Sequence, residues 1–189
     1  IYVFVIGNEY HVMFYTKEKG AGAVRVGEKT YWDSSNGLIK SEDSIHCVRL
    51  PQSALNEAGV EPLGKAVICT VKGDMHDIGK NLVKMMIEGQ GIECIDLGVD
   101  VDPAAIVAAV KENNAQLVCL SALLTTTMMG QKDVVEALKA EGIRENVRVM
   151  IGGAPITQEF ADEIGADCYT LDAASAAQEA VRLINELKA

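Results

Sequence analysis

The sequence predicts an α/β protein: a doubly wound, five-stranded parallel sheet preceded by a small β-rich N-terminal segment. Three observations support this. From Lys65 onward, short apolar runs alternate five times with stretches of helical periodicity. Apolar residues make up 49% of the chain and aromatics only 5%, so the core is aliphatic, as in helix-covered parallel sheets. Gly91, Gly142 and Gly165 fall where helix C-terminal glycines belong.

Residues 1–50 form the small segment, 51–64 a short helix and linker, and 65–189 the main domain. Ile1 to Ile6 reads as a strand. Glu9 to Thr16 is a strand rich in β-branched and aromatic residues, and Lys17 to Gly22 is a turn. Ala23 to Val26 is its return strand. Gly27-Glu28-Lys29 and Asp33 to Gly37 are further turns, and Ile45 to Leu50 is a last short strand. Pro51, Gly59, Pro62 and Gly64 punctuate the linker. The main-domain strands are expected near 65–71, 92–97, 115–120, 147–151 and 167–170. The helices are expected near 78–89, 103–113, 128–141, 156–164 and 174–187. Ile78, Leu82, Val83, Met86 and Ile87 recur at helical spacing. Asp102 is an N-cap followed by proline at the first helical position, and Asp172 caps the last helix. Five such units predict a flavodoxin-like or Rossmann-like sheet of order 2-1-3-4-5, with a ligand crevice between the first and third strands.

Composition bounds the function. A formal net charge of −10 opposes attraction to nucleic acid or anionic membrane. The apolar runs fall short of the roughly 20 residues a membrane helix needs, and no signal-peptide pattern opens the chain. Five cysteines without CxxC spacing suggest neither a disulfide framework nor a zinc site, so the compartment is reducing and the protein cytoplasmic.

Three motifs fall at carboxyl ends of strands. The first strand leads into Gly73-Asp74-Met75-His76-Asp77-Ile78-Gly79-Lys80-Asn81. A histidine in this loop can turn one ring nitrogen outward while Asp74 takes the proton on the other, the usual device behind a metal-bound imidazole. On its own, a loop histidine beside two aspartates is a cap or a surface hydrogen-bonding group. The third strand ends in Ser121-Ala122-Leu123-Leu124-Thr125-Thr126-Thr127, where four hydroxyls exceed the needs of one helix cap. The fourth runs into Gly152-Gly153-Ala154-Pro155, a turn that also lets a ligand approach the backbone closely.

Together, Asp74-x-His76-x-x-Gly79, Ser121-x-Leu123 and Gly152-Gly153 resemble the cobalamin-binding signature of corrinoid proteins of methyltransferase systems and of the cobalamin domain of methionine synthase. The resemblance covers residues 52–189. It implies cobalamin or a related cobamide bound with its benzimidazole displaced and His76 as lower axial ligand of cobalt. Asp74 and Thr127 then join His76 in a proton relay, with threonine at Thr127 where methionine synthase has serine. Ser121, Leu123, Thr125, Gly152, Gly153 and Ala154 line the slot for the nucleotide tail, beside Ile78 and Gly79. Asp77 either stabilises its helix N-terminus or contacts the corrin amides.

The implied role is a methyl carrier, not catalytic alone. Its partners are a substrate-specific methyltransferase, a second methyltransferase that accepts the methyl group, and a reductive activator. The first fifty residues depart from the family, which brings a helical bundle there, and Phe14, Tyr31 and Trp32 are candidates for a substitute apolar lid. The alternatives are the cobalamin subunit of a radical mutase, a cobalamin sensor or storage domain, and an unrelated flavodoxin-like domain.

Overall fold

The computed structural model describes residues 62–188 throughout and, within residues 1–61, the backbone of five strands. The chain divides into two compact units, Ile1–Glu61 and Pro62–Ala189.

In the first unit, β1 (Tyr2–Ile6), β2 (Glu9–Thr16) and β5 (Ser44–Pro51) form an antiparallel sheet of order β1-β2-β5. β2 pairs with β5 along its whole length, from Glu9 opposite Pro51 to Thr16 opposite Ser44. β3 (Ala23–Val26) pairs with β4 (Lys29–Trp32). This corrects two expectations: Ala23–Val26 is not the return strand of Glu9–Thr16, and Lys29 begins a strand. β3 and β4 are separated by two residues and β2 and β3 by six, so the closer pair closes at a smaller entropic cost. The side chains of Phe14, Tyr31 and Trp32, the turns at 17–22, 27–28 and 33–37, and the helix and linker expected at 52–61 lie outside the described residues.

The second unit alternates strand and helix: β6 (Gly64–Val71), α1 (Ile78–Glu88), β7 (Ile92–Val101), α2 (Pro103–Asn113), β8 (Leu117–Ser121), α3 (Met129–Ala140), β9 (Arg148–Gly152), α4 (Gln158–Ile164), β10 (Cys168–Tyr169) and α5 (Ala173–Lys188). All four pairings are parallel and the order is β7-β6-β8-β9-β10, which is the predicted 2-1-3-4-5. Central strands are buried on both faces, so their sequences are continuously apolar instead of alternating. In β6, Val67, Cys69 and Val71 face the helices α2, α3 and α4, whereas Ala66 and Ile68 face α1 and α5. The alanines of α5, Ala176, Ala177 and Ala180, let that helix lie close to the sheet.

Capping follows the sequence. The Asp102 carboxylate accepts from Ala104 N at 3.1 Å at the start of α2. Asp172 Oδ1 accepts from Ser175 N at 2.8 Å at the start of α5. Two elements differ from expectation. β7 runs four residues further, through register shifts opposite Cys69 and left-handed backbone at Gly98 and Asp100. β10 is only two residues long, pairing Cys168 with Met150 and Tyr169 with Ile151. The α1 periodicity also resolves into two faces: Val83, Met86 and Ile87 pack into the core, while Ile78 and Leu82 point outward at 86% and 50% exposure.

Candidate functional site

The carboxyl ends of β6, β8, β9 and β10 open onto a cavity of about 710 Å³ beside α1. The loop after β6 supplies the histidine. Gly73 turns the chain with φ +82°, and its N–H donates to Asp100 Oδ1 at 2.6 Å. The carbonyl of Asp74 accepts from Asp100 N at 3.0 Å and from the buried Thr70 hydroxyl at 2.5 Å. The loop is thereby anchored to the last residues of β7.

The Asp74 side chain is fully buried. Oδ1 accepts from His76 N at 2.9 Å and lies 3.0 Å from His76 Nδ1. Oδ2 accepts from Leu123 N and from the Thr127 hydroxyl, each at 2.7 Å. Burial alone would raise the carboxyl, but the hydrogen bonds from Thr127, from the backbone of His76 and Leu123 and from the His76 ring outweigh it and hold the pKa at about 2. A carboxylate facing Nδ1 makes that nitrogen the protonated one, leaving Nε2 with its lone pair directed away. His76 is half exposed and lines the cavity.

Of the other residues singled out in the sequence, Asp77, Ile78, Gly79, Ser121, Leu123, Gly152, Gly153 and Ala154 all line the cavity. Asp74 and Thr127 stand behind His76, where the Thr127 hydroxyl serves Asp74 and does not cap α3, whose N-cap is Met128. Thr125 lies on the exposed turn after β8, outside the lining. Asp77 occupies the α1 N-cap position without a capping bond; its carboxylate instead accepts from Asn81 Nδ2 at 3.1 Å.

Several participants escaped sequence reasoning. Lys80, on the first turn of α1, lines the cavity yet is only 2% exposed. Its ammonium donates to Asp96 Oδ1 and Oδ2 at 2.7 and 2.9 Å and to Asn81 Oδ1 at 2.7 Å. Gln131, fully buried in α3, donates through Nε2 to the carbonyls of Leu120 and Gly152 at 3.1 and 3.0 Å, joining the ends of β8 and β9. Thr170 and Leu171, just past β10, complete the wall. Periodicity marks none of these, since the partners that bury Lys80 and Gln131 come from other elements.

The donor set fits a corrinoid. One imidazole is too few to hold a bare cation but suffices as an axial ligand to cobalt already held by a macrocycle. Met75, Ile78, Leu123 and Leu171 leave large apolar surfaces at the mouth, suited to a flat ring. Gly79 faces open space where a side chain would project. Gly153, at φ +131°, brings its backbone so near Ala122 that a Cβ would lie 1.8 Å from the Ala122 carbonyl oxygen, so only glycine shapes this wall.

Residues 64–182 match the family model for the B12 binding domain. The dimethylamine corrinoid protein 1 of Methanosarcina acetivorans is 53% identical over 122 residues, which are 65% of this chain and 57% of that protein. The match therefore spans little more than half the relative's length. The monomethylamine corrinoid protein of Methanosarcina barkeri superposes with a TM-score of 0.62 at 38% identity, covering 69% of this chain and 66% of that one. The methanol:cobalamin methyltransferase complex of the same organism gives 0.65 at 31% identity, covering 70% and 52%. This chain belongs to the B12-binding-domain family, and it binds cobalamin or a related cobamide.

Proposed function

We propose that the chain is the corrinoid carrier of a methylamine methyltransferase system, holding the cofactor base-off with His76 as lower axial ligand. The observation that carries this is the His76 ring, oriented through Nδ1 by a buried, ionised Asp74 and leaving Nε2 to the mouth of an apolar cavity. When bound, the cobalt supplies the methyl-accepting and methyl-donating chemistry. The protein binds, orients and manages protons. Asp74 fixes the tautomer and the orientation of the ring. The Asp74 oxygens are already engaged by four donors, so of the pair His76 Nε2 is the atom left that would meet the cofactor. Ser121, Leu123, Gly152 and Gly153 receive the nucleotide tail.

The partners in this reading are a methyltransferase that demethylates a methylamine, a second that accepts the methyl group, and a reductive activator, in the cytoplasm. Dimethylamine is the favoured substrate because it is in the name of the relative at 53% identity. Loaded chain, mixed with purified methylamine methyltransferases and an acceptor methyltransferase, is expected to support dimethylamine consumption, with His76→Ala at least 100-fold slower. Tight corrinoid binding without turnover on methylamines or methanol would point instead to a sensor or storage domain.

A further inference from the structure

We infer that the cavity selects among cobamides by their lower base, admitting an apolar benzimidazole-type base and disfavouring a purine. This rests on the corrinoid reading above and concerns the inner wall of the same crevice.

The sheet face toward α1 and α5 is layered. Ser121 stands beside Gly152 in register, with Thr170 across from Gly152, at the outer edge of the wall. Two residues further in, about 7 Å along the strands, Ile68, Cys119 and Met150 lie in one row. All three line the cavity and are at most 4% exposed. The outer layer thus offers hydroxyls, suited to the ribose and phosphate of a tail. The inner row offers a branched alkyl group, a thiol and a thioether, which pack well on an aromatic ring.

The inner wall has one strong donor, Lys80, and it is engaged. Its three N–H groups point to three oxygens of Asp96 and Asn81 within 2.7–2.9 Å. The backbone groups of the row belong to the ladders of β6, β8 and β9. An adenine placed here would lose water from its exocyclic amine and its ring nitrogens with no partner on the row, whereas a benzimidazole carries no exocyclic polar group to strand.

The test is equilibrium binding of three cofactor forms to the full chain, followed by absorbance: the benzimidazole cobamide, the adenine cobamide, and cobinamide, which lacks the tail. Binding of the benzimidazole form at least 10-fold tighter than either other form is the expected result. Equal or tighter binding of the adenine form would overturn the selection, and equal binding of cobinamide would show that the tail does not use this wall. Failure of all three to bind would overturn the corrinoid reading and the selection with it. Met150→Gln places an amide in the row and is expected to shrink the ratio between the two bases at least 5-fold, while Met150→Leu preserves it. An unchanged ratio in a folded Met150→Gln protein contradicts the assignment. Because adenine and benzimidazole differ in their hold on cobalt, the comparison between variants, where that difference cancels, is the deciding one.

Discussion

At the residue scale, the site depends on how one carboxylate is shared. Asp74 has two oxygens and four donors, and two of those donors come from the loop after β8. Replacing it with asparagine puts an amide N–H₂ where an acceptor is required. Corrinoid affinity is expected to fall 10- to 100-fold in Asp74→Asn, read by absorbance titration; unchanged affinity would show that Asp74 does not hold His76 for the cofactor. The depressed pKa of about 2 also links to stability. A carboxyl lowered on folding contributes stability above its unfolded pKa of about 3.9, and that contribution, on the order of 2 kcal/mol, is lost as pH falls from about 4 toward 2. Acid titration of the apoprotein is expected to show this loss, with Asp74→Asn flattening it. The Asp74 and His76 pair was legible from its spacing in one loop, and Thr127 only through the family resemblance. The Leu123 N–H was not, because a backbone donor has no residue type to mark it.

At the scale of elements, the first turn of α1 is held down by a buried cation. Lys80 is 2% exposed and paired with Asp96, itself 23% exposed in its side chain. Asp96 is lowered from the usual carboxylate range: burial opposes this, but the hydrogen bonds from Lys80 and Gly98 N prevail. Lys80→Met removes the main partner of a partly buried carboxylate, leaving it Gly98 N and Lys84 at 3.4 Å, and is expected to cost about 2 kcal/mol by chemical denaturation, whereas Lys80→Met with Asp96→Leu recovers most of it. No recovery in the double variant would mean that the pair acts by packing alone. Strand order and helix caps could be read from alternation and from Asp102-Pro103, since each follows from local chemistry. The lysine could not, because lysine on a helix is normally solvated and only the β7 register brings Asp96 beneath it. Likewise, Ile78 and Leu82 satisfied helical spacing while belonging to the crevice, because periodicity gives a face without saying what covers it.

At the scale of the molecule, the units Ile1–Glu61 and Pro62–Ala189 are compact separately, and the family match of residues 64–182 lies within the second. A fragment of residues 62–189 is therefore expected to fold cooperatively and to bind cobalamin within about 3-fold of the full chain; a failure to bind would give the first unit a direct share in the site. The N-terminal strands illustrate what pattern alone misses: four of their positions were legible, Lys29–Trp32 was hidden behind a turn signal, and pairing depended on loop length. No helix among the described residues is long and apolar enough to cross a membrane. The central claim is that His76 replaces the cofactor's own base on cobalt. It is tested most directly by electron paramagnetic resonance of the chain loaded with cob(II)alamin, in natural and ¹⁵N-histidine-labelled protein. A superhyperfine splitting that changes from three lines to two with the label, and disappears in His76→Ala, is the predicted result. A pattern indifferent to the label would leave benzimidazole on cobalt and contradict the account.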